Sequence, residues 1–494
     1  MNLPSRSPLA SLETGCALSI LTLLSTGCAS TARPGVPSPA RAGALTGAPS
    51  TLVQEVGDAE DLEEPDIYDG SPFQEPIEGY PRGDRIIGTP VDPEADFARG
   101  FPKKNSVLTG EIPKSYFQWK EKLYADYGIK LAFNLTLIGQ LASDVLPQDW
   151  LTGGDTNRAA SGIGLVLEGK WEAINRGEDY QGSLTAAVDW RQAFGGTSVP
   201  AFFLQDTGSI WTTDLTVIEW DPWLSTFYWE QWFTKNRFVA RVGTQAAVQI
   251  FDFFRFKDGR SSFSNSEFWF PIASTPLPGP GLGASFELWP KKDSPLYVVG
   301  TVNDLNFEVG KSFAWDEAFR RGEFFYGLEV GYNWGTFPTN FDHLHAQIFY
   351  ADEASTLPAG LPSKSGAGFK IRGSKQWDRV VGFASYTNNN AQGGPFGITL
   401  LENAATAGVA YLRPLDIRGE ISIGANWGQP FSSFAGAAPV FQGLKDQYGI
   451  ETYWKLLLTP DVWITPGIQL VFDPALNPDV STLAIGTVKL HFFL

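Results

Sequence analysis

Cysteine is nearly missing from this chain: it has two in 494 residues, Cys16 and Cys28, both close to the start. A body without cysteine beyond residue 28 can build neither a disulfide framework nor a cysteine metal site. Long apolar runs are missing too. The longest apolar segment, Ala17 to Leu24, is far short of the roughly 20 residues a helix needs to cross a bilayer, so no helical span is expected. Basic charge is scarce, with 37 Lys and Arg against 54 Asp and Glu. That balance is the reverse of a nucleic-acid-binding surface, and no nucleic-acid partner is expected. GxSxG, HExxH and glycine-rich phosphate loops are absent, so neither an enzyme nor a cofactor is expected.

What is abundant is glycine, at 52 residues, and aromatic side chains, at 14%, while charged residues reach only 18%. No second composition regime appears after residue 100, which points to one large unit. The acidity is concentrated: residues 51 to 100 hold fourteen acids and three bases. Residues 31 to 112, rich in Pro, Gly, Asp and Glu without sustained period, read as a disordered linker in the periplasm. Before it, Arg6, the apolar segment and the small residues Ser25 to Ser30 read as an export signal over residues 1 to 30. Thr26-Gly27-Cys28 resembles the lipoprotein cleavage motif, which would lipidate Cys28. Ser25 stands where that motif prefers a large apolar residue, and ordinary cleavage near Ala32 is the alternative.

From residue 128 onward the pattern has period two. In the last stretch Ala484, Gly486, Val488, Leu490 and Phe492 share one face, while Thr487, Lys489 and His491 share the other. The same division runs through Gln447 to Leu458, Val462 to Asp473, Gly128 to Leu141 and Glu323 to Trp334. In each, the charges keep to one side. A mean hydropathy of −0.11 fits such strands, whose two faces average out. About sixteen segments can be counted, starting near residues 128, 161, 181, 222, 236, 281, 295, 322, 341, 366, 379, 404, 416, 447, 461 and 481. Long connections follow the odd segments and short turns the even ones. Strands running up and down would then carry all long loops at one mouth and all turns at the other, as in an outer-membrane barrel. The expected fold class is therefore all-β: a transmembrane antiparallel barrel over residues 113 to 494, preceded by a short helix at 113 to 126. In that helix Tyr116, Trp119, Leu123 and Tyr127 are spaced for one face, either packed under the barrel or lying on a surface. Tryptophans and tyrosines near strand ends are expected at the membrane interfaces.

A barrel of this width cannot be filled by wall side chains alone, so loops are expected inside. The candidate is Ala246 to Pro280, which carries Phe251, Phe253, Phe254, Phe256, Phe263, Phe268, Trp269 and Phe270 among Asp252, Arg255, Lys257, Arg260, Asn265 and Glu267. Aromatic faces can stack on sugar rings while charged and amide groups bond hydroxyls; alternatively, the rings merely pin the loop to the wall. Arg241, with Asp189, Arg191 and Glu230, is expected to add mixed charge at the same level of the channel.

These residues also resemble a known family, the carbohydrate-selective porins of the OprB type. The resemblance rests on Arg241-Val242-Gly243 leading into Phe263-Ser264-Asn265-Ser266-Glu267-Phe268, on Tyr448-Gly449-Ile450-Glu451-Thr452-Tyr453-Trp454, and on Pro466 through Pro474. It implies a barrel of this strand number, an eyelet made by inward loops, and passive diffusion of small neutral sugars across the outer membrane. The chain departs from the family in its acidic leader, its lipoprotein-like signal and its final leucine. The implied partners are small neutral sugars, outer-membrane lipid, and the barrel assembly machinery acting on the C-terminal strand. Alternatives are a general diffusion channel with weak charge preference and a secreted glycan-binding β-sandwich. His343 and His345, two apart on one face with Gln347, could offer two metal ligands, but no carboxylate at a supporting position is evident, and they are expected to be polar residues of the lumen.

Overall fold

The structure is a computed structural model. It describes residues 107–108 and 114–493, apart from the short stretches 151–152, 235–236, 253–255, 292–293, 308–309, 335–341, 358–359, 418 and 460. The expected signal with Cys28, nearly all of the 31–112 linker, and Phe253, Phe254 and Arg255 lie outside the described residues.

A strand that is apolar on one side and polar on the other must satisfy its backbone with neighbours and find two different solvents for its faces. Sixteen strands do so by closing on themselves. They are β1 (Ile129–Ala142), β2 (Ala159–Ile174), β3 (Gly182–Ala193), β4 (Trp220–Thr234), β5 (Phe238–Gln245) and β6 (Gly281–Leu288). Next come β7 (Leu296–Asp304), β8 (Phe324–Asn333), β9 (His343–Ala351), β10 (Gly366–Trp377) and β11 (Val380–Asn389). The last five are β12 (Leu401–Leu412), β13 (Gly419–Pro430), β14 (Gln447–Thr459), β15 (Val462–Phe472) and β16 (Thr482–Phe493). Every neighbouring pair is antiparallel, and β16 closes on β1 with Leu490 opposite Leu137 and Thr487 opposite Gln140. The strands begin within three residues of the positions expected from the sequence. Closure into one barrel rules out the two-sheet sandwich.

The faces fall as the alternation requires. Val242, Leu328, Ile348, Ile371, Ile423 and Val488 are among the exposed large side chains on the outside, from 40 to 60% accessible. Their inward neighbours Arg241, Glu329, Gln347, Arg372, Ser422 and Lys489 are buried. An exposed apolar band encircling a closed barrel is what a hydrocarbon environment selects. Two aromatic bands edge it. Trp171, Phe233, Trp334 and Trp377 lie exposed where strands meet the short turns, and Tyr326, Tyr350, Phe369, Tyr386 and Tyr448 near the long loops.

The N-terminal helix, Lys114–Tyr127, enters β1 through Gly128, whose φ of 71° is the left-handed stop that lets its N–H return to the Tyr124 carbonyl. Arg176, in the β2–β3 turn, donates to the Tyr124 and Ala125 carbonyls at 2.6 and 2.9 Å, covering the helix end. The expected face is corrected: Lys120 and Tyr124 are buried, while Trp119 and Tyr127 are exposed. Tyr124 is turned to the bore because its hydroxyl donates to the inward carboxylate of Glu172 at 3.2 Å. The helix therefore packs at the mouth on the short-turn side.

Candidate functional site: two loops inside the bore

Loop 246–280, between β5 and β6, runs inward because inward-facing wall residues supply partners for its backbone and charges. Asp252 holds its base. Its Oδ2 receives Lys370 Nζ at 2.6 Å and Arg372 Nη1 at 3.0 Å. Its Oδ1 lies 3.2 Å from both His345 Nε2 and Gln347 Nε2, and its backbone N–H donates to Glu329 at 2.7 Å. Burial alone would raise its pKa, but the Arg372 and Lys370 cations hold this carboxyl well below the usual range. Glu267 behaves oppositely. Burial raises it, although its carboxylate accepts from Ser274 Oγ at 2.7 Å and Ala273 N at 3.2 Å. Asn265 caps the turn by accepting from Glu267 N at 3.0 Å. Farther round the wall, Glu451 of β14 takes the N–H groups of Ser264 and Asn265 at 2.6 and 2.9 Å.

The loop's phenylalanines settle which of the two expected roles they play. Phe251, Phe256, Phe263 and Phe268 are at most 2% accessible, packed on the wall. Phe263 stacks on Phe268 at 4.2 Å and meets Tyr453 edge-on at 4.7 Å, while Phe256 lies 4.9 Å from Phe383. They pin the loop, and the sugar-stacking reading does not hold for them. Trp269 keeps partial exposure, its indole N–H donating to the Ser264 carbonyl. The wall makes room for the stack at Gly424 of β13, where a Cβ would stand 2.6 Å from the Phe268 ring and 3.1 Å from Phe263. Gly424→Val should overpack this contact at a cost of about 1–3 kcal/mol and raise current noise in planar bilayers. Wild-type noise would mean the rings do not seat there.

Lys257 donates to the Phe251 carbonyl at 2.7 Å, and burial lowers its pKa to about 8 against the pull of Asp252 and Glu329. Its ordinary value of 10.5 exceeds the folded one, so the packed loop gains stability as pH rises from about 8 toward 10.5 and is least favoured below 8. The bore also loses one positive charge across pH 8. Reversal potentials in a KCl gradient should move toward cation preference between pH 7 and 9, and a flat profile would remove Lys257 from the conduction path.

The other expected residues split into two levels. Arg241 Nε meets Glu230 at 2.6 Å and its Nη1 meets Glu287 at 2.5 Å, while Lys170 reaches Glu230 at 2.9 Å. All are buried, forming a charged belt across β2, β4, β5 and β6. Asp189 and Arg191 pair with each other at 2.7 Å. They do not share that level: Glu230 is opposite Ser183 on β3, and Asp189 lies six residues farther along, roughly 20 Å of strand. Arg191 instead lies over the Trp220 ring at 4.4 Å and donates to the Thr216 carbonyl at 2.9 Å.

That last contact belongs to a second inward loop, 194–219, which its length and its place after an odd strand would put among the external ones. Ser209, Trp211, Thr213 and Asp214 are buried. The Thr213 carbonyl accepts from Gln140 at 3.2 Å and Gln469 at 2.7 Å, and Gln447 Oε1 accepts from Ile210 N at 3.0 Å. The uncharged run Thr207 to Thr213, with Ile210 and Trp211 among Ser and Thr, too poor in charge for an external loop, was the available signal. The histidine pair is also better supplied than the sequence suggests. His345 Nδ1 lies 2.9 Å from His343 Nε2, which reaches Tyr297 Oη at 3.1 Å, and Tyr297 donates to Glu329 at 2.8 Å. Asp252 and Glu329 are thus carboxylates close to the pair, brought from another strand and a loop. Among the described residues no group of His, Cys, Asp and Glu is placed to hold a metal.

A closed sixteen-strand barrel, apolar outside, polar inside and entered by two loops, defines a porin of the bacterial outer membrane. Residues 367–494, nearly all of β10 to β16, match the family model described as "Carbohydrate-selective porin, OprB family". The resemblance read from the sequence is borne out over those seven strands. OprB of Pseudomonas putida, in its high-pH structure, is 12% identical over 80% of this chain and 100% of that chain, with a TM-score of 0.56. OmpF of Salmonella typhi, in complex with daunomycin, is also 12% identical, over 74% of this chain and 98% of that chain, with a TM-score of 0.46. No curated protein matches.

Proposed function

We propose that the chain is a passive channel for small neutral carbohydrates across the outer membrane, narrowed by the inward loop 246–280. The observation that carries this is the loop's anchorage at two separate places on the wall, by Asp252 at its base on β9 and β10 and by Glu451 of β14 at Ser264 and Asn265, in a chain whose last seven strands match a sugar-porin family. Wall cations and carboxylates neutralise one another, as in the Lys170–Glu230–Arg241–Glu287 belt. A bore so balanced attracts neither ion strongly, and serial weak contacts select a polyol without holding it. A channel of this kind performs no catalysis.

The same reading takes residues 1–30 as the export signal, with Cys28 as the candidate lipid site, and residues 31–112 as a periplasmic linker. It also takes β16 as the strand the barrel assembly machinery recognises. The test is swelling of proteoliposomes in size-matched solutes. Neutral sugars should enter faster than amino acids and organic anions, and equal rates would favour a general diffusion channel.

A further inference from the structure

Lys489 stands on β16, facing inward, with its side chain 1% accessible. An ammonium has three N–H donors, and burying it is costly unless each finds an acceptor. Here all three do. Nζ donates to the Gly259 carbonyl at 2.6 Å and the Ser262 carbonyl at 2.8 Å, and it meets Asp214 Oδ2 at 3.4 Å. The first two acceptors belong to loop 246–280 and the third to loop 194–219. Asp214 is itself fixed, its Oδ1 accepting both the backbone N–H and the hydroxyl of Thr216. The loops also touch directly, Ser266 N donating to the Thr212 carbonyl at 3.0 Å.

We infer that Lys489 is a positioning residue that latches both inward loops to one point of the wall, so that they hold the bore's width as a single body. This rests on reading the loops as the channel's constriction, but not on which solute passes. With its three donors satisfied by protein, Lys489 offers no hydrogen to a solute; it acts through the loops. Its strand is bonded on both sides, to β15 and β1, so the anchor point is rigid. A methionine at this position would fill the space of the side chain and supply none of the three bonds.

The test is ion conductance of Lys489→Met in planar bilayers, with folding verified by heat-modifiable gel mobility. The released loops should raise single-channel conductance by about twofold or more, toward that of an unobstructed barrel of this size. They should also become cleavable by trypsin after Lys257 or Arg260. Asp214→Asn frees only one loop from the latch and should give a smaller rise without new cleavage. A folded Lys489→Met channel with wild-type conductance and trypsin resistance would overturn the inference. If that variant does not assemble, wild-type conductance in Asp214→Asn overturns it instead. Since the readout is ion current, failure of the latch is distinguishable from failure of sugar selectivity, which swelling rates report.

Discussion

Replacing Asp252 by alanine should yield a barrel that still inserts but melts earlier and prefers anions. This carboxylate is shared by Lys370 and Arg372 and touched by His345 and Gln347, all buried. Removing it leaves two cations without the counter-charge that offsets their burial, a change that typically costs about 3–5 kcal/mol. The base of loop 246–280 then keeps the Glu329 contact to the backbone N–H of residue 252, the Gln249 bond to Thr226 and the packing of Phe251 on Phe325, all without charge compensation for the two cations. The temperature of the heat-modifiable mobility shift should fall, and reversal potentials should move toward anion preference. Wild-type values for both would show that Lys370 and Arg372 find other acceptors and that Asp252 is not the anchor.

The second large effect is expected at β14. Glu451 accepts two adjacent backbone N–H groups of the loop, at Ser264 and Asn265. Hydrogen bonds to a charged acceptor contribute roughly 1.5–3 kcal/mol each, and buried donors left without an acceptor add a desolvation cost. Glu451→Ala should therefore unseat the segment that carries Phe263 and Phe268. The expected consequence is selective: ion conductance rises, and the swelling-rate advantage of neutral sugars over amino acids shrinks toward unity. Barrel stability should change less than in Asp252→Ala, because no cation is stranded. Retained sugar preference with raised conductance would place selectivity elsewhere in the bore.

Much of this architecture could be read locally. The period-two alternation of β16, β15, β14 and β1 needs no knowledge of partners, since each strand must present one face to lipid and one to water. Loop 246–280 was legible because eight aromatic residues are too many for a solvated loop. Its fastenings were not. Lys370, Arg372, Glu451 and Lys489 look in sequence like any other inward polar residue, and each meets its loop across more than a hundred residues of chain. The choice between the two roles of the loop's rings stayed open for a related reason: composition reveals that rings are plentiful but not whether they face the wall or the bore. In the N-terminal helix, aromatic residues occur on more than one face. The side that turned inward was decided by Glu172 and Arg176, which lie beyond the helix.

If two folded-in loops, not the sixteen-strand wall, set the width of the passage, large solutes must be turned away at the loops. Polymer exclusion measures this most directly: single-channel conductance is recorded in KCl with neutral polyethylene glycols of graded size. Only the smallest polymers should enter and lower the wild-type conductance, with the cut-off moving to larger polymers in Glu451→Ala. Free passage of large polymers through the wild-type channel, with the same cut-off in the variant, would contradict it.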